Sequence, residues 1–214
     1  CIREKVVAAN KARPCRRLTA VGRADTDRCA LFYTSGSTGE PKGVLHSDKS
    51  FAGGVERFLT FNRIGGYKSF FGAPPCFFVA VNDTLAAISS GLCAHFLTPD
   101  AKRDVLLLER YLADHAIEVA VLPPSLLKVF HSRSKALRYV LSLGERMTNC
   151  YSADYTIVNG LGQTELAGGI CYKTVDRGYA NTPIGRNVEG TEVAVVDDEG
   201  QPVAEGEEGE MVIT

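Results

Sequence analysis

Residues 29–43 read CALFYTSGSTGEPKG: an apolar run, a loop of glycine and hydroxyl residues, then a lysine. The run Cys29–Thr34 has the apolar, aromatic character of a strand. The chain then enters Ser35-Gly36-Ser37-Thr38-Gly39, with Lys42 close behind. Glycine lets successive backbone N–H groups turn inward on an anion, and the serine and threonine hydroxyls add donors. Lys42 adds a positive charge suited to a polyphosphate. The spacing GxxxxGK[ST] of a Walker loop cannot be fitted here. A Gly/Ser-rich string by itself is also what a surface turn looks like, so its meaning depends on the rest of the chain.

Outward from this loop, short apolar runs alternate with longer amphipathic segments. The pattern predicts an α/β fold, doubly wound around a largely parallel sheet with helices on both faces, plus a smaller β-rich C-terminal portion. Strands are expected at Cys29–Thr34, Lys68–Gly72, Ala94–Leu97, Glu118–Leu122, Tyr139–Leu143 and Tyr155–Asn159. Helices are expected from Ser47 to Phe61 and over Asp83–Ser90, with Gly91 as C-cap. A third follows Asp100, a good N-cap, and runs to His115, with Val105, Leu108 and Leu112 on one face. Pro123-Pro124 interrupts the next segment, and Pro124 or Ser125 opens a short helix. After Gly169 glycine becomes frequent, with strands at Glu192–Asp197 and Glu210–Ile213 and a hairpin-like turn at Asp198-Glu199-Gly200. The expected division is a connecting segment over 1–28, an α/β core over 29–169 and a β-rich subdomain over 170–214.

The 214 residues are 45% hydrophobic and 23% charged, with net charge −1, enough for one sizeable core. Near-neutrality gives no electrostatic reason for a nucleic-acid or anionic-membrane partner, and no apolar run approaches the roughly 20 residues that span a bilayer. The seven cysteines (1, 15, 29, 76, 93, 150, 171) have no CxxC or paired spacing. They predict neither a disulfide framework nor a zinc site; most should be small core residues in a reducing, cytoplasmic setting. His46, His95, His115 and His131 lack metal-ligand spacing and read as structural. The chain opens on Cys1 and stops at Thr214 inside a β-rich stretch, and is expected to be a piece of a longer protein.

The string Tyr33–Gly43 closely resembles the signature loop of the adenylate-forming superfamily, which includes nonribosomal peptide synthetase adenylation domains, acyl- and aryl-CoA synthetases and luciferases. Asn159-Gly160-Leu161-Gly162-Gln163-Thr164-Glu165 is similar to the family's second nucleotide motif. Gly144-Glu145 resembles its adenine-flanking step, and Ile184-Gly185 with Gly206–Ile213 (GEEGEMVI) resembles the end of its large domain. The matches come in family order across residues 29–214.

The resemblance implies ATP and Mg²⁺ as cofactors and formation of acyl-AMP from a carboxylic acid. By it, Thr34, Ser35, Gly36, Ser37, Thr38, Gly39 and Lys42 hold the β- and γ-phosphates. Glu165 holds the metal and Thr164 contacts the α-phosphate, so Thr164, Glu165 and Lys42 are the expected catalytic residues. Asn159 reads the adenine amino group, with Gly144, Glu145, Gly160 and Leu161 around the ring. Two positions depart from the family. Leu161 stands where an aromatic residue usually stacks on adenine, a term of about 0.5–1.5 kcal/mol. Ser47-Asp48 stands where a Ser/Thr-His pair is usual.

Phe77–Leu85 aligns without gaps to the family's acid-pocket helix. Phe78 falls where amino-acid-activating members carry the Asp that pairs with the substrate ammonium, and a buried ammonium without a carboxylate is costly. The resemblance carries the pocket onto Phe78, Val79, Asn82, Val121, Leu141, Leu143, Gly160, Gly168 and Gly169, an uncharged set. It implies an α-keto, α-hydroxy, aryl or aliphatic acid, with Asn82 as the polar reader. The implied partners are that acid, a carrier-protein phosphopantetheine thiol or CoA as acceptor, and the rest of an adenylation domain with its C-terminal lid. Three readings follow: a nonribosomal-peptide-type adenylation domain, an aryl- or acyl-CoA ligase, and a degenerate scaffold module without catalysis. The piece alone is expected to bind nucleotide weakly and to catalyse slowly or not at all.

Overall fold

The computed structural model describes residues 22–35, 39–72, 78–96, 104–132 and 134–214. The expected roles of Gly36, Ser37 and Thr38, the N-cap at Asp100 and most of the 1–28 segment lie outside them.

The fold is α/β with a mixed sheet. Its seven strands are β3 (Ser69–Phe71), β4 (Cys93–His95), β5 (Val119–Val121), β6 (Tyr139–Leu143), β7 (Thr156–Gln163), β8 (Gly168–Val175) and β9 (Arg186–Asn187). They lie in the order β4-β3-β5-β6-β7-β8-β9. Pairings from β4 through β7 are parallel, and those of β7 with β8 and β8 with β9 are antiparallel. Two antiparallel pairs stand apart from it: β1 (Arg28–Thr34) with β2 (Lys42–Ser47), and β10 (Val193–Val196) with β11 (Glu210–Ile213).

The structure corrects several expectations. The first strand belongs to its own hairpin with the unforeseen β2, and not to the parallel sheet. The expected boundary between Gly169 and Ile170 falls inside β8, which pairs with β7 along most of its length. Of the cysteines described, Cys150 and Cys171 are buried as expected, whereas Cys29 and Cys93 are exposed.

The helices follow local signals closely. In α1 (Asp48–Asn62), Ser47 is the N-cap: its hydroxyl accepts from the Ser50 N–H at 3.2 Å. α2 is Phe78–Ser89, so it starts five residues before the expected Asp83. Gly91 follows it in the left-handed region, as expected. α3 (Val105–Asp114) is capped by Asp104, whose carboxylate accepts from the Leu106 and Leu107 N–H groups. α4 (Pro124–Leu127) starts at its proline. Near the C-terminus Gly200 turns with positive φ, and Asp197 Oδ1 accepts from the Glu199 and Gln201 N–H groups.

Two cores form because strand side chains alternate between faces. In β5, Val119 and Val121 join one cluster and Ala120 the other. In β6, Tyr139 and Leu141 part from Val140 in the same way. The first cluster is covered by Phe58 of α1 and Ala86 and Ala87 of α2. The opposite one is covered by Leu108 and Leu112 of α3 and Leu127 of α4. β3 lies between β4 and β5, so the chain runs outward from β3 and then returns past it. Such a reversal opens a crevice at the carboxyl ends of the strands. No helix among the described residues is long and apolar enough to cross a membrane.

Leu112 is fully buried under the sheet. Leu112→Ala is expected to lower unfolding free energy by about 2–5 kcal/mol, measured by urea denaturation.

Candidate functional site

β1 and β2 present the first expected site element as a hairpin loop. Thr34 and Lys42 face each other at its base, which leaves Ser35 to Pro41 as the connection. Gly39 has φ +88, and a Cβ there would meet nothing within 4 Å, so this part of the loop is open as well as left-handed. Ser35, Gly39 and Lys42 are exposed.

The second element is extended. Asn159 through Gln163 form the end of β7, and Thr164–Leu166 make a 3-10 turn before β8. The corner depends on close backbone approach: a Cβ at Gly162 would collide with the Gly168 carbonyl. α1 clasps the corner from outside. A Cβ at Gly54 would collide with the Ala167 carbonyl, and Arg57 Nη2 donates to the Leu166 carbonyl at 2.8 Å. The clasp places Glu165 beside the β1–β2 hairpin, where Thr34 Oγ1 donates to Glu165 Oε1 at 3.4 Å across 131 residues of sequence.

Asn159 is buried and its Nδ2 donates to the Pro183 carbonyl at 3.0 Å, which fixes the amide and leaves Oδ1 as its acceptor. Gly144 turns with φ +90 and no neighbour on its Cβ side. Glu145 differs from its expected surroundings: its carboxylate accepts from the Ser125 N–H and hydroxyl at 2.9 and 3.0 Å. It is thereby tied to the N-terminus of α4.

The expected acid-pocket residues meet a cavity of about 120 Å³. Of the expected pocket residues, Phe78, Val79, Asn82, Leu143, Gly160, Gly168 and Gly169 line it. Val121 and Leu141 do not; they pack in the core on the same face of the sheet, with Leu141 Cδ1 under Gly160. The nucleotide-motif residues Gly144, Leu161 and Thr164 line the same cavity. A Cβ at Gly169 would collide with the Tyr172 hydroxyl, so this glycine makes room for the ring beneath.

Four neighbours of the candidate site stand outside the expected site residues, His46 among them as a histidine read as structural. Tyr172 forms part of the cavity wall, stacked on Phe61 at 4.4 Å between centroids. Arg57 grips the Thr164–Leu166 turn. Asp83 lines the cavity although it is almost wholly buried, and burial pushes its carboxyl well above the usual carboxylate range. A lone acid in the apolar run FFVAVNDTLAAI, one turn after Val79, was the available signal. His46 is also buried, packed edge-on to Phe32 at 6.0 Å and tilted on Phe78 at 5.2 Å. Burial lowers its pKa against the opposing pull of the Thr164 backbone and Glu165, and its Nε2 has no hydrogen-bond partner among the described residues. Asp48, at the position where a histidine is usual, pairs with Arg23 at the start of α1.

Glu165 has the chemistry to hold a magnesium ion. Its carboxylate is exposed, and among the described residues no cation pairs with it. Magnesium takes one or two carboxylates plus phosphate oxygens in preference to an all-protein cage.

Burial favours the neutral form of Asp83 in the fold more than in the unfolded chain, so the stability that this form contributes is complete in acid and is lost as pH rises. Asp83→Asn removes this loss. Thermal unfolding is expected to show little difference between variant and wild type near pH 4, and a rising advantage for the variant towards pH 8.

Residues 3–214 match the family model described as "AMP-binding: AMP-binding enzyme". Bacitracin synthase 1 of Bacillus licheniformis is 29% identical over 87% of this chain and 4% of its own length. Malpibaldin synthetase of Mortierella alpina is 32% identical over 91% and 4%. The chain therefore spans a small fraction of these relatives. Among solved structures, the anthranilate CoA ligase AuaEII in complex with anthranoyl-AMP aligns with TM-score 0.80 and 23% identity, over 92% of this chain and 41% of that one. The N-terminal subdomain of Klebsiella oxytoca NpsA aligns with TM-score 0.74 and 21% identity, over 92% and 52%.

Proposed function

Since the chain belongs to the AMP-binding enzyme family, we propose that it forms the nucleotide- and acid-binding part of an adenylate-forming ligase. The observation that carries this reading is the shared cavity: acid-pocket residues of α2 and nucleotide-motif residues of β6 and β7 line one space. An acid held there lies against Thr164, next to the turn that carries Glu165.

In the proposed reaction a substrate carboxylate oxygen attacks the α-phosphorus of ATP, the bond to the bridging oxygen breaks, and pyrophosphate leaves. Two anions must meet, so alignment and charge neutralisation are the main tasks. The hairpin loop from Thr34 to Gly39, with Lys42, holds the β- and γ-phosphates through backbone N–H groups, hydroxyls and one ammonium. Thr164 donates to the α-phosphate. Asn159, with its Nδ2 engaged by Pro183, offers Oδ1 to the adenine amino group. Gly144, Gly160 and Leu161 cover the ring, and Glu145 acts through the backbone it anchors to α4. Glu165 would hold a magnesium ion, which would supply positive charge to offset the charge that develops on the phosphates.

Phe78 stands on His46 and Phe32, both uncharged, which supports an acid without an α-ammonium: α-keto, α-hydroxy, aryl or aliphatic. The acceptor in this reading is a carrier-protein phosphopantetheine thiol, in a cytoplasmic nonribosomal-peptide-type synthetase with a C-terminal lid. This follows the kind of protein that bacitracin synthase 1 is named for. CoA as acceptor is the second reading, in line with the likeness to a CoA ligase.

The test is carboxylate-dependent ATP–pyrophosphate exchange by the protein that carries this chain, over α-amino, α-keto, α-hydroxy, aryl and fatty acids. Exchange with a non-amino acid is expected, falling about 10²-fold or more in Glu165→Gln and Lys42→Ala. Exchange with α-amino acids alone overturns the argument from Phe78. No exchange from the folded protein overturns the activity and leaves the scaffold reading.

A further inference from the structure

α2 lays Phe78 and Asn82, and likewise Val79 and Asp83, one turn apart along the face that lines the cavity. Asn82 and Asp83 are among the most buried polar residues of the described chain, at 3% and 1% exposure. Among the described residues neither Asn82 Oδ1 nor Asp83 Oδ2 has a hydrogen-bond partner. Buried polar atoms are nearly always satisfied, and two orphans on one wall of one cavity call for an explanation.

We propose that Asn82 and Asp83 together read a neutral hydroxyl on the tail of a small carboxylic acid, making Asp83 a specificity-determining residue of this pocket. The inference rests on the proposed adenylate-forming activity and adds the substrate's distinguishing group. Asn82 Oδ1 can only accept, so its partner must donate. Among the described residues no cation pairs with Asp83, and burial favours the protonated form of its carboxyl, which can donate. A hydroxyl answers both, donating to Asn82 and accepting from Asp83. A ketone or ether oxygen would leave Asn82 unmet. An ammonium would need Asp83 to ionise beside Phe58, Phe78, Val79 and Tyr172, in a cavity whose other polar side chains, Asn82, Gln163 and Thr164, are all uncharged. Tyr172 does not compete for the role: burial holds its hydroxyl protonated, and that hydroxyl sits under Gly169. The nearby Arg57 guanidinium is engaged by the Leu166 carbonyl.

Size narrows the acid further. A cavity of about 120 Å³ is close to the roughly 150 Å³ that admits a benzene ring. The tail is therefore one small ring or a short branched chain.

The test compares matched acids in ATP–pyrophosphate exchange by the protein that carries this chain. Benzoate is run against its hydroxy derivatives, and butanoate and 3-methylbutanoate against their 3-hydroxy and 3-amino forms. For one skeleton the hydroxy acid is expected to exceed its deoxy partner by about 10²-fold or more in kcat/KM, because the deoxy acid leaves both buried groups unmet. Asp83→Leu is expected to bring that ratio to within about tenfold while the KM for ATP stays unchanged. Asp83→Asn, which keeps the shape and a neutral donor, is expected to retain most of the preference. Equal exchange of hydroxy and deoxy acids overturns the proposal and leaves the adenylating activity standing. So does a preference for the 3-amino acid that Asp83→Asn abolishes, since that assigns Asp83 to an ion pair. A hydroxyl preference that survives Asp83→Leu also overturns it. Absence of exchange with every acid overturns the activity and this inference together.

Discussion

The clasp between α1 and the corner after β7 governs the candidate site. Gly54 lets the helix backbone come against the Ala167 carbonyl, and Arg57 closes the contact on Leu166. Without a glycine at position 54 the helix would stand off from the corner, and the Thr164–Leu166 turn would lose its outer support. With it, Glu165 on the turn reaches Thr34 of the separate β1–β2 hairpin. The corner itself exists because Gly162 permits the close passage of the Gly168 carbonyl. Several glycines in this region thus have a steric reason that is independent of any ligand.

The clasp works only because the sheet behind it is rigid. β5 and β6 are buried on both faces, as parallel strands between helical layers are. β7 continues past β6 by several residues and turns back as β8. The expected second nucleotide motif straddles this step: Asn159 and Gly160 still pair with β6, Leu161–Gln163 form the overhang, and Thr164 and Glu165 lie on the turn beyond it. The cavity lies where the overhang meets α2, so its floor is set by core packing and its rim by a turn.

Electrostatically the cavity wall is quiet. Burial favours the neutral forms of both Asp83 and His46, while Phe78 lies against the imidazole. The charges of the site are displaced outward, to Lys42 on the hairpin and Glu165 on the turn, both exposed. That separation suits an acid with an uncharged tail whose carboxylate meets a polyphosphate at the mouth.

The sequence by itself determined the local elements and the chemistry at their ends. Ser47, Pro124 and Gly91 mark helix ends through short-range hydrogen bonds and backbone preference, which need no distant partner. The glycine and hydroxyl loop after Thr34 and the string ending at Glu165 were legible because their residue types are rare in that order. The tertiary structure decided which strands share a sheet. β1 and β8 are each apolar enough to pair in several ways, and pairing depends on long-range packing that alternation cannot encode. It also decided that Val121 and Leu141 pack in the core while Asp83 and Tyr172 reach the cavity. Period alone identifies a face; only the packed neighbours settle how deep each side chain sits and whether a buried carboxyl finds a partner.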